Sequence, residues 1–256
     1  GSILGTYNEP NDGSISKEMG SFFNAWSALA SNPNEAAYRT QVRLAGQRLG
    51  TSIRTAYRDL KTQADNVQSQ VTTTIERVNQ ISEALTGLNA SIRESTVTGV
   101  QPSDLYDHRD QLLEELSSLV NITVSHQSDG SVNVFMSNFT LVDGNTNHDL
   151  PTTYDAATGA LTLGGATFPV RGGKLAGILA TSNALKTQMT NLDTLANTLR
   201  KEVNTIHKSG TNANATTNIN FFNDAVPQTG AIDFGLSSQV EADVRNIAIG
   251  VTGKDG

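Results

Sequence analysis

The sequence predicts an α+β chain, an elongated, coiled-coil-like helical bundle with a small β domain inserted in it, on three observations. No proline lies between Pro33 and Pro102, and apolar residues recur there by threes and fours, most regularly at Val67, Val71, Thr74, Val78, Ile81, Leu85, Leu88 and Ile92. That spacing lays one stripe along a helix. A second stripe follows at Ile178, Ser182, Leu185, Met189, Leu192, Ala196, Leu199, Val203 and Ile206. Between the two, apolar and polar residues alternate, as in half-buried strands. Two helices that each carry one apolar stripe bury it best against each other, so a rod is expected. Residues 3–118 and 173–256 supply its helical parts, 119–172 form the β domain, and Gly1-Ser2 reads as an expression scar.

In chain order, residues 3–14 are rich in turn formers (Asn8, Pro10, Asn11, Asp12, Gly13). A helix over about 15–30 carries Met19, Phe22, Phe23, Trp26 and Leu29, with Phe22, Phe23 and Trp26 expected to form an aromatic core patch. Ser31-Asn32-Pro33-Asn34 ends it, and Asn32 or Asn34 is suited to cap the next helix. That helix spans about 35–94, on the order of 90 Å at about 1.5 Å per residue, with Gly46, Gly50 and Gly87 as softer points. After a break at Gly99–Pro102, Ser103-Asp104 is expected to cap a helix over about 104–118.

Val120, Ile122 and Val124, the turn Ser128-Asp129-Gly130, and Val132, Val134 and Met136 then read as a β-hairpin. Short strands are expected at 139–143, 160–163 and 166–170, punctuated at Asp143-Gly144, Thr158-Gly159 and Gly164-Gly165. Gly172-Gly173 returns the chain to a helix over about 174–208. TNANATTNIN is a polar loop, Phe221-Phe222 re-enter a core, 231–236 suit a strand and 238–249 a short helix, and GVTGKDG ends in a turn or frayed tail.

Composition narrows function. Of 256 residues, 37% are hydrophobic and 5% aromatic, which fits a thin, extended core better than a compact enzyme. The net charge is −7 and no cluster of five or more basic residues occurs, so nucleic acid is set aside as a partner. The absence of cysteine excludes disulfides, thiolate metal sites and a cysteine nucleophile. No apolar run is long enough for a transmembrane helix, and no membrane partner is expected.

Motifs for chemistry are missing their companions. His108-Arg109-Asp110 has the form of a kinase catalytic loop, but Glu115 stands where that motif needs Asn, and neither a glycine-rich phosphate loop nor Asp-Phe-Gly occurs. Arg109 is expected to pair with Asp104 or Asp107. His108, His126, His148 and His207 share no metal-ligand spacing, and His207 is placed to serve a helix C-terminus. Asp12, Asp104, Asp107, Asp110 and Asp129 form no calcium loop. No catalytic, cofactor or metal residue is therefore assigned, and an enzyme is not expected. The residues that matter are the packing stripe: Val67, Val71, Val78, Ile81, Leu85, Leu88, Ile92, Leu185, Met189, Leu192, Leu199, Val203 and Ile206.

Four blocks, in order, carry a family resemblance: residues 8–42, residues 103–136 with Leu141-Val142-Asp143-Gly144, residues 203–210 with Phe221-Phe222-Asn223, and residues 235–250. The chain resembles the flagellar hook-associated protein 1 family, the hook–filament junction proteins. The resemblance implies an extracellular structural subunit of the bacterial flagellum, secreted by flagellar type III export. It implies as partners copies of itself in a ring, the hook protein, the third hook-associated protein, and an export chaperone acting through a C-terminal segment outside this chain. Against the family pattern, the outermost terminal helices are missing and the loop after His207 lacks an aromatic-Asp-Asn-Gly run. Phe222 to Ala231 also leave no room for an extra β domain. Two other readings fit the composition: a secreted coiled-coil adhesin or binding module with a β head, and a hydrolase built on Asp104 and Asp107.

Overall fold

The computed structural model describes residues 12–99, 102–155, 160–163, 166–224 and 230–251. Outside them fall the turn-rich start up to residue 11, the turns at Thr158-Gly159 and Gly164-Gly165, most of the stretch between Phe222 and Ala231, and the tail from 252. Four helices dominate: α1 (Asp12–Ser31), α2 (Ala36–Val97), α3 (Ser103–Leu119) and α4 (Gly173–Ser209). Between α3 and α4 come β1 (Thr123–His126), β2 (Val132–Met136), β3 (Phe139–Asp143), β4 (Thr146–Asn147), β5 (Tyr154–Asp155), β6 (Ala160–Leu163) and β7 (Ala166–Pro169). After α4 come β8 (Gly210–Asn212), α5 (Ser238–Ala242), a 3-10 turn (Val244–Asn246) and β9 (Ala248–Val251). The class is α+β.

Two compact units divide the chain. The first holds the residues up to Lys61 and those from Gln188 onward; the second is Thr62–Thr187. In the second, antiparallel sheets β1-β2-β3-β4 and β5-β6-β7 share one core with the helices. Val71, Ile75, Val78, Ile81 and Leu85 of α2 pack in it with Val132, Val134 and Leu161 of the strands and with Leu175 and Leu179 of α4. The expected boundaries at 118/119 and 172/173 are therefore not breaks between compact units. Strands this short bury too little alone and complete their core on α2. Gly173 joins the strands to α4 in a left-handed conformation (φ +71°), where a Cβ would lie 2.5 Å from the Leu119 carbonyl oxygen.

In the first unit α1, the start of α2 and the end of α4 enclose an aromatic core closed by the antiparallel pair β8–β9. Gly46 proves to be a close-approach site: a Cβ there would meet Leu236 Cδ2 at 2.9 Å and Phe221 Cε1 at 3.0 Å. α1 ends where Pro33 denies a further amide hydrogen, and Asn32 caps it by donating from Nδ2 to the Ala28 carbonyl (3.1 Å). Pro102, not Ser103 or Asp104, occupies the cap of α3, with no side-chain hydrogen bond.

The end of the chain departs most from expectation. Residues 231–236 form no strand beyond one bridge, Phe222 to Leu236. The helix expected over 238–249 stops at Ala242, because the Asp243 carboxylate accepts from Arg245 N (2.9 Å) and starts a new turn; residues 248–251 are β9. The polar stretch after Gly210 is partly strand, and Asn212 Oδ1 accepts from the backbone of Asn214 and Thr216 (3.0 Å each) to turn it back.

Candidate functional site

The stripes of α2 and α4 are the candidate site. On α2, Val71, Val78, Ile81, Leu85 and Ile92 are buried, while Val67 and Leu88 are half-buried. Thr74, Ile75, Ser82 and Asn89 are buried with them. The buried face is thus wider than a coiled-coil seam, as a helix covered by both sheet and helix requires.

On α4, Leu185, Leu192 and Leu199 are buried, Met189 and Val203 are half-buried, and Ile206 is 71% exposed. Ile206 is a correction with a geometric cause. A strict heptad drifts about 20° per repeat on a straight helix, so three repeats from Leu185 leave Ile206 about 60° behind and His207 about 40° ahead. His207 takes the buried place, together with Arg200 and Asn204. Phe23 is likewise 48% exposed: α1 buries Ile15, Phe22 and Leu29, and the next residue after Phe22 points about 100° away. Its ring only touches the edge of Phe22, with centroids 5.4 Å apart. Trp26 is half-buried against Phe221 (5.3 Å).

Four polar residues that sequence reasoning missed hold strand ends and irregular backbone onto these helices. Asn79 binds both backbone groups of Leu150, Oδ1 accepting from its N–H (2.8 Å) and Nδ2 donating to its carbonyl (3.1 Å). Asn89 does the same to Val132 (2.9 and 2.8 Å) and also donates to the Gly144 carbonyl (2.7 Å). Asn204 does it to Phe222 (2.8 and 3.0 Å). Each amide acts as a one-residue strand partner for backbone that has none.

The fourth is Arg200, 1% exposed, which pairs with Asp233 (2.9 Å), donates to Asn197 Oδ1 (2.6 Å) and lies 5.5 Å over the Phe234 ring. For Asn89 the sequence holds a partial signal: it stands four residues after the stripe position Leu85, which marks its burial but not its backbone partner.

His207 is 4% exposed. Its Nδ1 lies 2.7 Å from the Ile219 carbonyl oxygen and its Nε2 accepts from the Ala248 amide (3.0 Å). Burial lowers its pKa below the ordinary imidazole value, against the opposing pull of that carbonyl. Burial, with the Asp193 charge, raises the pKa of Tyr57.

The acidic turn shows no such convergence. Arg109 pairs with Asp110 (2.8 Å), not with Asp104 or Asp107, and stacks 4.9 Å over the Tyr106 ring. Glu115, at the place of the kinase Asn, accepts two hydrogen bonds from Arg77 of α2 (2.7 Å each). Among the described residues no group of three or more metal-binding side chains converges, and no helix is long and apolar enough to cross a membrane. An open groove of about 560 Å³ runs along α4, lined by Thr194, Asn197, Lys201 and Lys208 among others.

Such a chain, with long striped helices and buried amides that bond its own backbone, belongs to the class of helical domains. A profile of the flagellar hook-associated protein FlgK helical domain matches residues 2–222, and the chain belongs to that family. It is 30% identical over 224 residues to flagellar hook-associated protein 1 of Escherichia coli (strain K12), covering 82% of this chain and 41% of the relative. With flagellar hook-associated protein 1 of Bacillus subtilis (strain 168) it shares 32% identity over 126 residues, 49% of this chain and 25% of the relative. The chain thus spans less than half the length of these curated relatives. The structure of the flagellar hook junction protein FlgK from Burkholderia pseudomallei shares the fold, with a TM-score of 0.70 at 23% identity over 82% of this chain and 40% of that one.

Proposed function

We propose that this chain is the helical domain of a structural subunit that joins hook to filament in the bacterial flagellum, outside the cell. The family membership over residues 2–222 carries the reading. The packing supports it: α2 and α4 bury one wide face each and leave long polar faces for neighbours. Burying a Leu, Ile or Val side chain contributes roughly 1.5–3 kcal/mol, so the two buried faces offset the chain's low hydrophobic content. Its partners are copies of itself in a ring, the hook protein on one side and the third hook-associated protein on the other, with an export chaperone bound through a segment outside this chain. Its role is assembly, without a catalytic step. Acidic residues near Asp104 and Asp107 that bond no common centre give the hydrolase reading no support.

A chimaera tests this. Residues 12–251 replace the matched stretch of flagellar hook-associated protein 1 in an Escherichia coli strain lacking its own copy. Flagellin held in filaments is then measured against flagellin shed into the medium. Retained filaments and swimming are expected. Shedding by cells that export a folded chimaera would overturn the junction role.

A further inference from the structure

We propose that His207 is a proton-operated latch that fastens β9 and residues 219–222 to the end of α4. The closed latch needs one tautomer. The Ile219 carbonyl facing Nδ1 has no hydrogen to give, and the Ala248 amide facing Nε2 has only a hydrogen to give. The ring is therefore neutral with its proton on Nδ1. A second proton has one place to go, the Nε2 lone pair. There it sets a donor against the Ala248 N–H, and the bond is lost.

What that bond closes is short. Ala248 pairs with Asn212 at the end of a ladder of three residue pairs whose register shifts between Thr211 and Asn212. Among the described residues, two buried polar atoms at the same corner, Thr211 Oγ1 and Asn220 Oδ1, meet no protein hydrogen-bond partner. The loss of the Ala248 bond falls on a short, irregular ladder. The imidazole sits edge-on to Trp26 of α1 (6.0 Å between centroids) and Phe221 (5.5 Å), so opening also changes the surroundings of the single tryptophan.

Among the described residues no carboxylate bonds the ring to hold the second proton; its polar contacts are the Ile219 carbonyl and the Ala248 amide. Residues 219–222 are Ile, Asn, Phe and Phe, and β9 is Ala, Ile, Gly and Val. α1 presents Trp26, with its charges Lys17 and Glu18 about two turns away. On α4 the next residue is Lys208; a turn or two earlier come Glu202 and Lys201, which pair with each other (3.8 Å) on the exposed side of the helix, and Arg200, held by Asp233. Burial sets the folded pKa below the unfolded value of about 6.5. The latch's contribution to stability is therefore complete above about 6.5 and is lost as pH falls from there through the folded value.

The test uses the whole chain carrying His108→Gln, His126→Gln and His148→Gln, so that one imidazole remains. Nitrogen-15 NMR of the ring reads the tautomer and its titration, and amide hydrogen exchange reads protection at Ala248 and in β2–β3 between pH 7.5 and 5. The expected result is the Nδ1-protonated tautomer at pH 7.5. From about pH 6.5 down to the ring's own midpoint, protection at Ala248 falls about tenfold per pH unit, while β2–β3 hold. The Nε2-protonated tautomer, or protection at Ala248 that stays constant while His207 titrates, would overturn the latch. So would the same loss in a folded His207→Gln variant. The tautomer and exchange results decide the matter even where that variant does not fold.

Discussion

The two units solve one problem with different side chains. Five of the eight phenylalanines and the only tryptophan lie in the unit that contains α1 and the end of α4, as Phe22, Phe23, Phe221, Phe222, Phe234 and Trp26. The strand-rich unit has Phe135, Phe139 and Phe168, and its core is mostly Val, Ile and Leu. The buried polar groups are more alike: each unit buries a guanidinium (Arg39 and Arg200 in the first, Arg109 in the second) and an amide that bonds backbone (Asn204 and Asn89), while among the described residues the buried imidazole His207 belongs to the first. Backbone regularity accounts for the difference. Antiparallel ladders satisfy their own N–H and C=O groups, so Asn79 and Asn89 are needed only at strand ends and at Leu150. The described residues between Ala213 and Ser237 are mostly irregular, and their backbone must be bonded by side chains and weighted down by rings.

Among the polar contacts, the largest expected effect breaks that arrangement in the first unit. Arg200→Met removes the guanidinium that pairs with Asp233 and donates to Asn197 and the Gly230 carbonyl. Removing one partner of a buried pair costs about 3–5 kcal/mol, and the partial exposure of Asp233 places this change near the lower end. Urea unfolding followed by Trp26 fluorescence should show the loss, with exchange protection of β2–β3 unchanged. An equal loss of protection in β2–β3 would mean that the two units unfold together. The matching change in the second unit is Asn89→Ala. It leaves Val132 N, Val132 O and Gly144 O without their partner, at a cost of about 2 kcal/mol, and its signature is faster exchange at Val132.

Much of this architecture was legible in the sequence, and the failures are physically specific. The long helices, the Asp129-Gly130 hairpin and the return at Gly173 follow from local rules: periodicity, turn chemistry and glycine. The core residues Phe22, Val71 and Leu85 follow from the same stripes. Tertiary bonding was not legible. Nothing local to Asn79, Asn89 or Asn204 announces a distant backbone segment that lacks partners. β8 and β9 find each other across 36 residues, from Asn212 to Ala248, and neither reads as a strand alone. The share of the α2 face taken by strands was also hidden, because a wide apolar face and a heptad seam share most of their positions.

The smallest expected effects sharpen the comparison at its edge. Ile206 and Phe23 both satisfy the apolar pattern of the first unit and both are exposed. Ile206→Ala and Phe23→Ala should each change the stability of the isolated chain by less than about 0.5 kcal/mol, the usual range for surface changes. Phe22→Ala, one residue away on the same helix, removes a fully buried ring and should cost about 3–5 kcal/mol. Thermal melts of the three variants decide whether the pattern or the geometry governs. If Ile206→Ala proves as costly as a core change, α4 does not present the face described here and the heptad drift does not explain it. If it is silent in the isolated chain yet increases filament shedding in the chimaera, Ile206 acts on a neighbour and not on this fold.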